Sequence, residues 1–471
     1  MNRRLATFSL CALLIFLSLS SKARGQRDAQ RDAQFWLTTA DRSALLAPQT
    51  PLHFSDSSDT PLTVNVNDMA QFQSIDGFGV ALTGGSAQLL MRMDPAKRRA
   101  LLKELFERQE NSIGISYLRL TIGASDMNDH VFSYDDLPPG QTDVDQAKFS
   151  LDPDRADVIP VMKEILAINP GIKILACPWS APAWMKTNNK VKGGNLKPEY
   201  YGAFAKYFVK YVEGMKAEGI NIDAVTVENE PLNPKNTPSM AMFASEEGAF
   251  VAKSLGPAFR QAGIQTKILL YDHNPDVPSY PLSILGDPEA SKFVDGTAFH
   301  LYGGETSVFT DVHNKYPNKN LYMTEQSVDG SGNGPLAIAD AVTRVPIAST
   351  RNWSRNVLLW NMAADPHFGP HTNDGGCTMC VGAVTLDGNN VTRNLAYYTI
   401  AHFSKFVPPG SVRIESTEQE QLATVAFLTP DGKIVLAASN TANFQKTFTV
   451  KYHGKSFTTT LPPESAGTYV W

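Results

Sequence analysis

The chain reads as an α/β protein, a (β/α)8 barrel accompanied by a β-sandwich built from both chain ends. Between residue 75 and about 405, short apolar runs alternate with amphipathic stretches, the mark of repeated strand–helix units. Eight such runs can be placed. Beyond about residue 406 strand-like runs continue without helices between them, and the segment ahead of residue 74 has the same texture.

The expected barrel strands are residues 74–81, 116–123, 173–179, 223–229, 267–273, 296–302, 320–326 and 356–362. Between them, Pro95–Arg108, Ala156–Ile168, Pro198–Glu218 and Ser245–Ala262 repeat apolar residues at three- and four-residue spacing, which predicts helices. The sandwich strands are expected at 411–415, 422–428, 434–439, 446–451, 456–461 and 467–471, with Leu62–Val66 from the N-terminal side. Pro430-Asp431-Gly432 supplies a turn between two of them. The division that follows is an export signal over 1–23, an N-terminal contribution to the sandwich over 24–74, the barrel over 75–405 and the C-terminal sandwich over 406–471.

Composition agrees with a folded chain of this size. Of 471 residues, 42 % are hydrophobic and 19 % charged, enough for a large core without the bias of a disordered chain. At the N-terminus, Arg3 and Arg4 precede an apolar stretch from Leu5 to Ser20 and the small-residue site Ser21-Lys22-Ala23, the pattern of an export signal. The stretch is short and Ser-rich for a membrane span. The formal charge is −5, and loss of the three basic residues Arg3, Arg4 and Lys22 makes it −8. That balance argues against nucleic acid or an anionic membrane as the main partner.

Cys377 and Cys380 form a C-x-x-C pair in a Gly-rich loop. In an oxidising compartment the pair is expected to be a local disulfide, since no second Cys/His pair stands nearby to complete a zinc site. Cys177, inside an apolar run, reads as a buried thiol.

The candidate chemistry lies at the strand ends. Barrel enzymes gather their chemistry at the C-terminal ends of their strands, which converge on one face. Val225–Pro231 is an apolar run ending Glu228-Asn229-Glu230-Pro231, and Leu321–Gln326 delivers Glu325 in the same way. Two carboxyls on separate strands are what glycoside hydrolysis requires, one giving a proton and the other attacking or activating water. Either acid alone could be a solvated loop residue. At the ends of the fourth and seventh expected strands they read as a pair, Glu230 as acid/base and Glu325 as nucleophile.

Asn229 is suited to hold a sugar hydroxyl, and Trp179 to stack on a sugar face, with a place in the core as the lesser alternative. Arg119 points from an apolar strand and needs an acid partner, expected to be Glu325 or a neighbour. His300 and Tyr302 alternate on one strand and could share a face, His300 more as a positioning group than a reacting one. Asp126 is a candidate ligand for sugar hydroxyls or a loop cap. Trp184 reads as packing. Glu228 shares a facing with Glu230 only if the strand stays regular, which Asn229 and Pro231 make doubtful.

Taken in order, Asp76–Thr83, Tyr117–Asp126, Pro178–Asn188, Glu228–Pro231, His300–Tyr302, Thr324-Glu325, Trp360-Asn361 and His402–Phe406 resemble glycoside hydrolase family 30, the family of the lysosomal glucosylceramidase. The resemblance implies a TIM barrel with a side β-sandwich, retention of configuration, and no metal or organic cofactor. It puts acid/base and nucleophile on Glu230 and Glu325, sugar binding on Asp126, Trp179, Asn229 and Trp360, and support on Arg119, His300, Tyr302 and Asn361. A glucosylceramidase-like β-glucosidase is the first expectation for substrate, an endo-β-1,6-glucanase the second, and a xylosidase or xylanase the third. A catalytically silent glycan-binding protein would be expected to lack one acid. Leu82-Thr83-Gly84-Gly85-Ser86 lacks an acidic residue often found in the family, and the loop Ala363–Cys380 also departs from the lysosomal enzyme. The acid/base is expected to have a raised pKa and the nucleophile to stay ionised.

Overall fold

The computed structural model describes residues 32–56, 60–109, 111–328 and 335–471; the expected export signal lies outside them. Eight parallel strands close into a barrel: Gly77–Leu82, Tyr117–Thr121, Lys173–Cys177, Ala224–Thr226, Lys267–His273, Gly296–His300, Asn320–Glu325 and Ser354–Leu359. All eight coincide with expected runs. Their outward faces and the surrounding helices share one apolar core. Asp94 begins the helix Pro95–Phe106 by accepting the N–H groups of Ala96 and Lys97, with proline where no N–H is needed. The helical stretch expected over Ser245–Ala262 is observed from Ala244 to Gln261, interrupted by a π turn at Val251–Leu255.

Inside the barrel, side chains alternate between floor and site. Tyr117, Leu175, Ala224, Leu269, Ala298, Tyr322 and Leu358 pack together as an apolar layer. Because inward-facing residues recur every second position, the next layer on six of these strands is Arg119, Cys177, Thr226, His300, Thr324 and Trp360. The apolar plug thus sets the depth at which polar side chains begin.

The remaining strands form the sandwich. Its order is Lys455–Leu461, Lys446–Tyr452, Thr63–Ser74, Val412–Ser416, Leu422–Leu428, Ile434–Asn440, Ser465–Val470, Ala33–Thr38 and Ala47–Leu52. Thr63–Ser74 serves both layers, pairing parallel with Lys446–Tyr452 at its start and antiparallel with Val412–Ser416 along the rest. The sandwich has its own core, including Phe35, Ile414, Leu436, Phe448 and Tyr469. It is joined to the barrel through buried His402 on the helix Leu395–Ser404, whose ring nitrogens lie 2.8 Å from Thr468 Oγ1 and 2.9 Å from Thr38 Oγ1. Among the described residues, no helix is long and apolar enough to cross a membrane.

Candidate active site

At the C-terminal face of the barrel a cavity of about 670 Å³ opens between the strand ends. Asp126, Glu230, His273, Tyr302, Glu325, Trp360 and the cystine residues Cys377 and Cys380 are among its lining. One carboxylate oxygen of Glu230, one of Glu325 and a ring nitrogen of His300 all lie within 4.8 Å of one another. Both acids are almost fully buried.

Glu230 reaches this position through a local break in the strand. Its φ is +48°, a left-handed conformation in which Pro231 follows at once. Such backbone is costly for a residue with a side chain and is kept where its surroundings enforce it. Glu230 accepts a 2.7 Å bond from Asn233 Nδ2 and lies 3.0 Å from His300 Nδ1. Glu325 arrives after a register shift between Met323 and Glu325 that sets it opposite His300. It accepts from Arg119, as its charge requires, and from the Tyr302 hydroxyl at 3.0 Å.

Asp272 is the hub to which the sequence reading gave no role. It is fully buried and bonds Arg119 Nη2 at 2.7 Å, Thr226 Oγ1 at 2.8 Å and Thr324 Oγ1 at 2.5 Å, with His300 Nε2 at 3.3 Å. The buried Cys177 thiol donates to it at 3.1 Å. Tyr271 and Asp272 both have positive φ, +72° and +54°, and the strand shifts register there. This irregularity takes Asp272 out of simple alternation. A polar residue at an expected strand end was the available signal.

The other expected site residues divide into lining and support. Asp126 and Trp360 line the cavity, whereas Trp179 is 1 % exposed and packs behind Trp360, ring centroids 5.5 Å apart, with the Arg119 guanidinium 4.7 Å from its own centroid. Asn229 Oδ1 accepts from Arg119 at 2.8 Å. Asn361 Oδ1 accepts from Thr83 and Ser86, tying the eighth strand end to the first helix. Trp184 is buried against Tyr200, with its indole N–H on Asp135. Glu228 is buried beside Lys186, away from the cavity lining. Asn233 and Ser327 were missed because they stand in loops without a periodic signal, and His273 was given no role although it ends an expected strand.

The glycines replacing the expected acid have a steric reason. A Cβ at Gly84 would lie 2.0 Å from Asn128 Nδ2, and one at Gly85 would lie 2.6 Å from the Met127 carbonyl. The loop that carries Asp126 presses directly on the first helix. Cys377 and Cys380 are bonded, as expected from their spacing.

The charge pattern differs from expectation. Burial lowers the proton affinity of His300, but the carboxylates of Glu325, Asp272 and Glu230 outweigh it and raise its pKa to about 10. Burial pushes Glu230 up, yet the hydrogen bond and charge of His300 carry it down to about 2. Glu325 is raised by burial, with His300 and Arg119 opposing. The shift expected upward on Glu230 therefore runs downward in the open site, because the imidazolium sits against it, while Glu325 keeps its charged partner Arg119. Asp126 is pushed up to about 7 by burial and by the two glutamates. Glu230, His300 and Glu325 are also close enough to hold a metal ion together, but Arg119 already supplies the positive charge at Glu325.

A barrel whose strand ends bring two carboxyls this close, flanked by tryptophans, an amide and an arginine, defines the chain as a glycoside hydrolase. Comparison with known proteins agrees. The family 30 glycosyl hydrolase TIM-barrel model matches residues 75–407 and the family's β-sandwich model residues 410–469. The chain belongs to glycosyl hydrolase family 30. It is 37 % identical to an endo-1,6-β-D-glucanase of Neurospora crassa over 76 % of this chain and 75 % of that one. It is 28 % identical to the lysosomal acid glucosylceramidase of Mus musculus over 88 % and 84 %. A solved endo-β1,6-glucanase superposes with a TM-score of 0.86 at 35 % identity, covering 93 % of this chain and 99 % of the other.

Proposed function

We propose that the protein is an exported retaining β-glucosidase that cleaves β-1,6-glucan by double displacement, Glu325 attacking the anomeric carbon and Glu230 serving the leaving oxygen. The observation that carries the mechanism is that one oxygen of Glu230 and one of Glu325 lie within 4.8 Å of each other, which places the two carboxyl groups at close range. A direct attack and a covalent intermediate need about 5–5.5 Å, whereas inversion through an intervening water needs about 6.5–9.5 Å. Arg119 and Tyr302 hold the Glu325 oxygens in place for attack.

The proton that Glu230 delivers resides in the open site on His300 Nδ1, 3.0 Å from Glu230 Oε1. When substrate displaces water, that proton moves across the hydrogen bond as the leaving oxygen gains charge. After glycosylation the Glu325 charge is spent in the ester, and Glu230, again a carboxylate, takes the proton from the attacking water. Asp126 and Trp360 line the cavity where the sugar's hydroxyls and face would lie.

For the substrate, β-1,6-glucan stands ahead of glucosylceramide, the reverse of the order the family resemblance implied. Two glucanase relatives in sequence and structure at 35–37 % identity support it. So do Asn233, Asn236, Asn274 and Asp276 in the cavity lining, suited to further sugar hydroxyls. Glucosylceramide remains the second reading, supported by the mouse relative's coverage. The export signal read at residues 1–23 would place the enzyme where such glucans are met. A panel of β-1,6-glucan, glucosylceramide and aryl β-xyloside, read as kcat/KM, tests the assignment: glucan is expected to lead, and preference for the ceramide or the xyloside would overturn it. Retention is checked by NMR of the first-formed anomer.

A further inference from the structure

The bridge Cys377–Cys380 closes a four-residue ring in the loop that follows the eighth strand, and both sides of that ring face the reacting groups. On one side, the Cys377 backbone N–H is turned toward the Asp126 carboxyl and favours its charged form. Asp126 Oδ1 is buried without a partner, so the group has few contacts besides its own backbone N–H and that of Cys377 to hold it. The same loop returns to Asp126 through the Thr372 N–H, 2.8 Å from the Asp126 carbonyl. On the other side, Cys380 Sγ lies 3.8 Å from Ser327 Oγ. Ser327 N–H donates to the Tyr302 hydroxyl at 3.0 Å, and that hydroxyl donates to Glu325 at 3.0 Å.

The sulfurs are also part of the site's wall. Cys380 packs in one cluster with Ala81, Met127, Cys177, Trp179 and Trp360, with Cys377 against it, and both cysteines line the cavity. A bridge across so short a loop removes little entropy from the unfolded chain, since that gain grows with loop length. The fold is anchored elsewhere, by two large cores. The bond's effect is local.

We infer that the Cys377–Cys380 cystine is a positioning element for catalysis, holding Asp126 from one side and the Ser327–Tyr302–Glu325 line from the other, so that hydrolysis depends on the bridge being intact. Reduction by a dithiol breaks the S–S bond, adds two electrons and two protons to give two cysteine thiols, and leaves the reductant as its disulfide. With the ring open, Cys377 N–H is free to leave Asp126 and Cys380 to leave Ser327.

The inference rests on the glycosidase reading, and the test separates the two. The full-length enzyme is assayed on an aryl β-glucoside before and after reduction with dithiothreitol, with thiol titration to establish opening and near-UV circular dichroism to follow the fold. No hydrolysis by the oxidised enzyme of either the aryl glucoside or β-1,6-glucan would sink the proposed glucosidase reading itself. If it is active, kcat/KM should fall about tenfold or more on opening, with KM rising, while the dichroism is kept and reoxidation restores activity. The Cys377→Ser/Cys380→Ser enzyme should match the reduced wild type and ignore dithiothreitol. Retention of kcat/KM within about twofold after opening, in either the reduced or the doubly substituted enzyme, overturns the inference. So does activity that disappears only in step with the dichroism, because the bridge would then hold the fold rather than the site.

Discussion

Replacing Asp272 by Asn removes one charge from the buried cluster while keeping its shape. His300 stands at about 10 against an ordinary 6.5, lifted by Glu325, Asp272 and Glu230 against the opposing effect of burial. Two charges 3.3 Å apart would interact by about 5 kcal/mol at an effective dielectric of about 20. The Asn dipole and the loosened pairing of Arg119 reduce the change that is felt. A fair share of the lift is about one pH unit, or about 1.4 kcal/mol. Because Asp272 favours the protonated form, its loss lets the proton leave His300 at lower pH, and the alkaline limb of kcat/KM should move down by about one unit. Arg119 also loses one of its two acidic partners, and weakening so buried a pair costs about 3 kcal/mol of stability. The assay is a pH–rate profile on an aryl β-glucoside at constant ionic strength, with urea denaturation alongside. An Asp272→Asn enzyme of reduced activity whose alkaline limb stayed within about 0.3 unit of wild type would refute the proton assignment to His300.

Three further outcomes are expected. Glu230→Ala should slow glucan hydrolysis by roughly 10²–10⁴-fold but much less for an aryl glucoside with an acidic leaving group, and azide should rescue it to give the β-glucosyl azide; Glu325→Ala with azide should give the α-azide, and exchanged products would swap the two roles. His402 is held neutral by burial, its pKa lowered to about 3, so the unfolded chain binds its proton first and stability is lost as pH falls below about 6.5. Between pH 6.5 and 4.5 this is roughly 2–3 kcal/mol, seen in urea melts as a steeper decline for wild type than for His402→Asn; equal slopes would contradict it. Gly85→Ala should force the Met127 carbonyl, 2.6 Å from the new methyl, to move, raising KM for an aryl glucoside by several-fold through Asp126, and an unchanged KM would show that the loop has room.

The juxtaposition of Glu230 and Glu325 was legible because it follows from local pattern: apolar runs ending in acids, at the fourth and seventh of eight counted strands. Arg119 was legible for a similar reason, since a buried guanidinium demands an acid, and Glu325 met that demand. The Cys377–Cys380 pair came from spacing and its expected compartment. Asp272 escaped because its inward aim depends on two left-handed residues and a register shift, which no periodicity announces. Trp179 was read as a stacking platform, but its place behind Trp360 depends on a contact between the third and eighth strand ends.

What the amino-acid order determines by itself is therefore the succession of strands and helices, the sandwich texture at both ends, and which polar groups fall where strands finish. Side-chain alternation and apolar burial act over a few residues, so they can be read one segment at a time. Tertiary structure alone decided the proton affinities of the site. Proton affinity depends on burial and on charges within a few ångströms, and the groups that set it for His300, at positions 230, 272 and 325, come together only when the barrel closes.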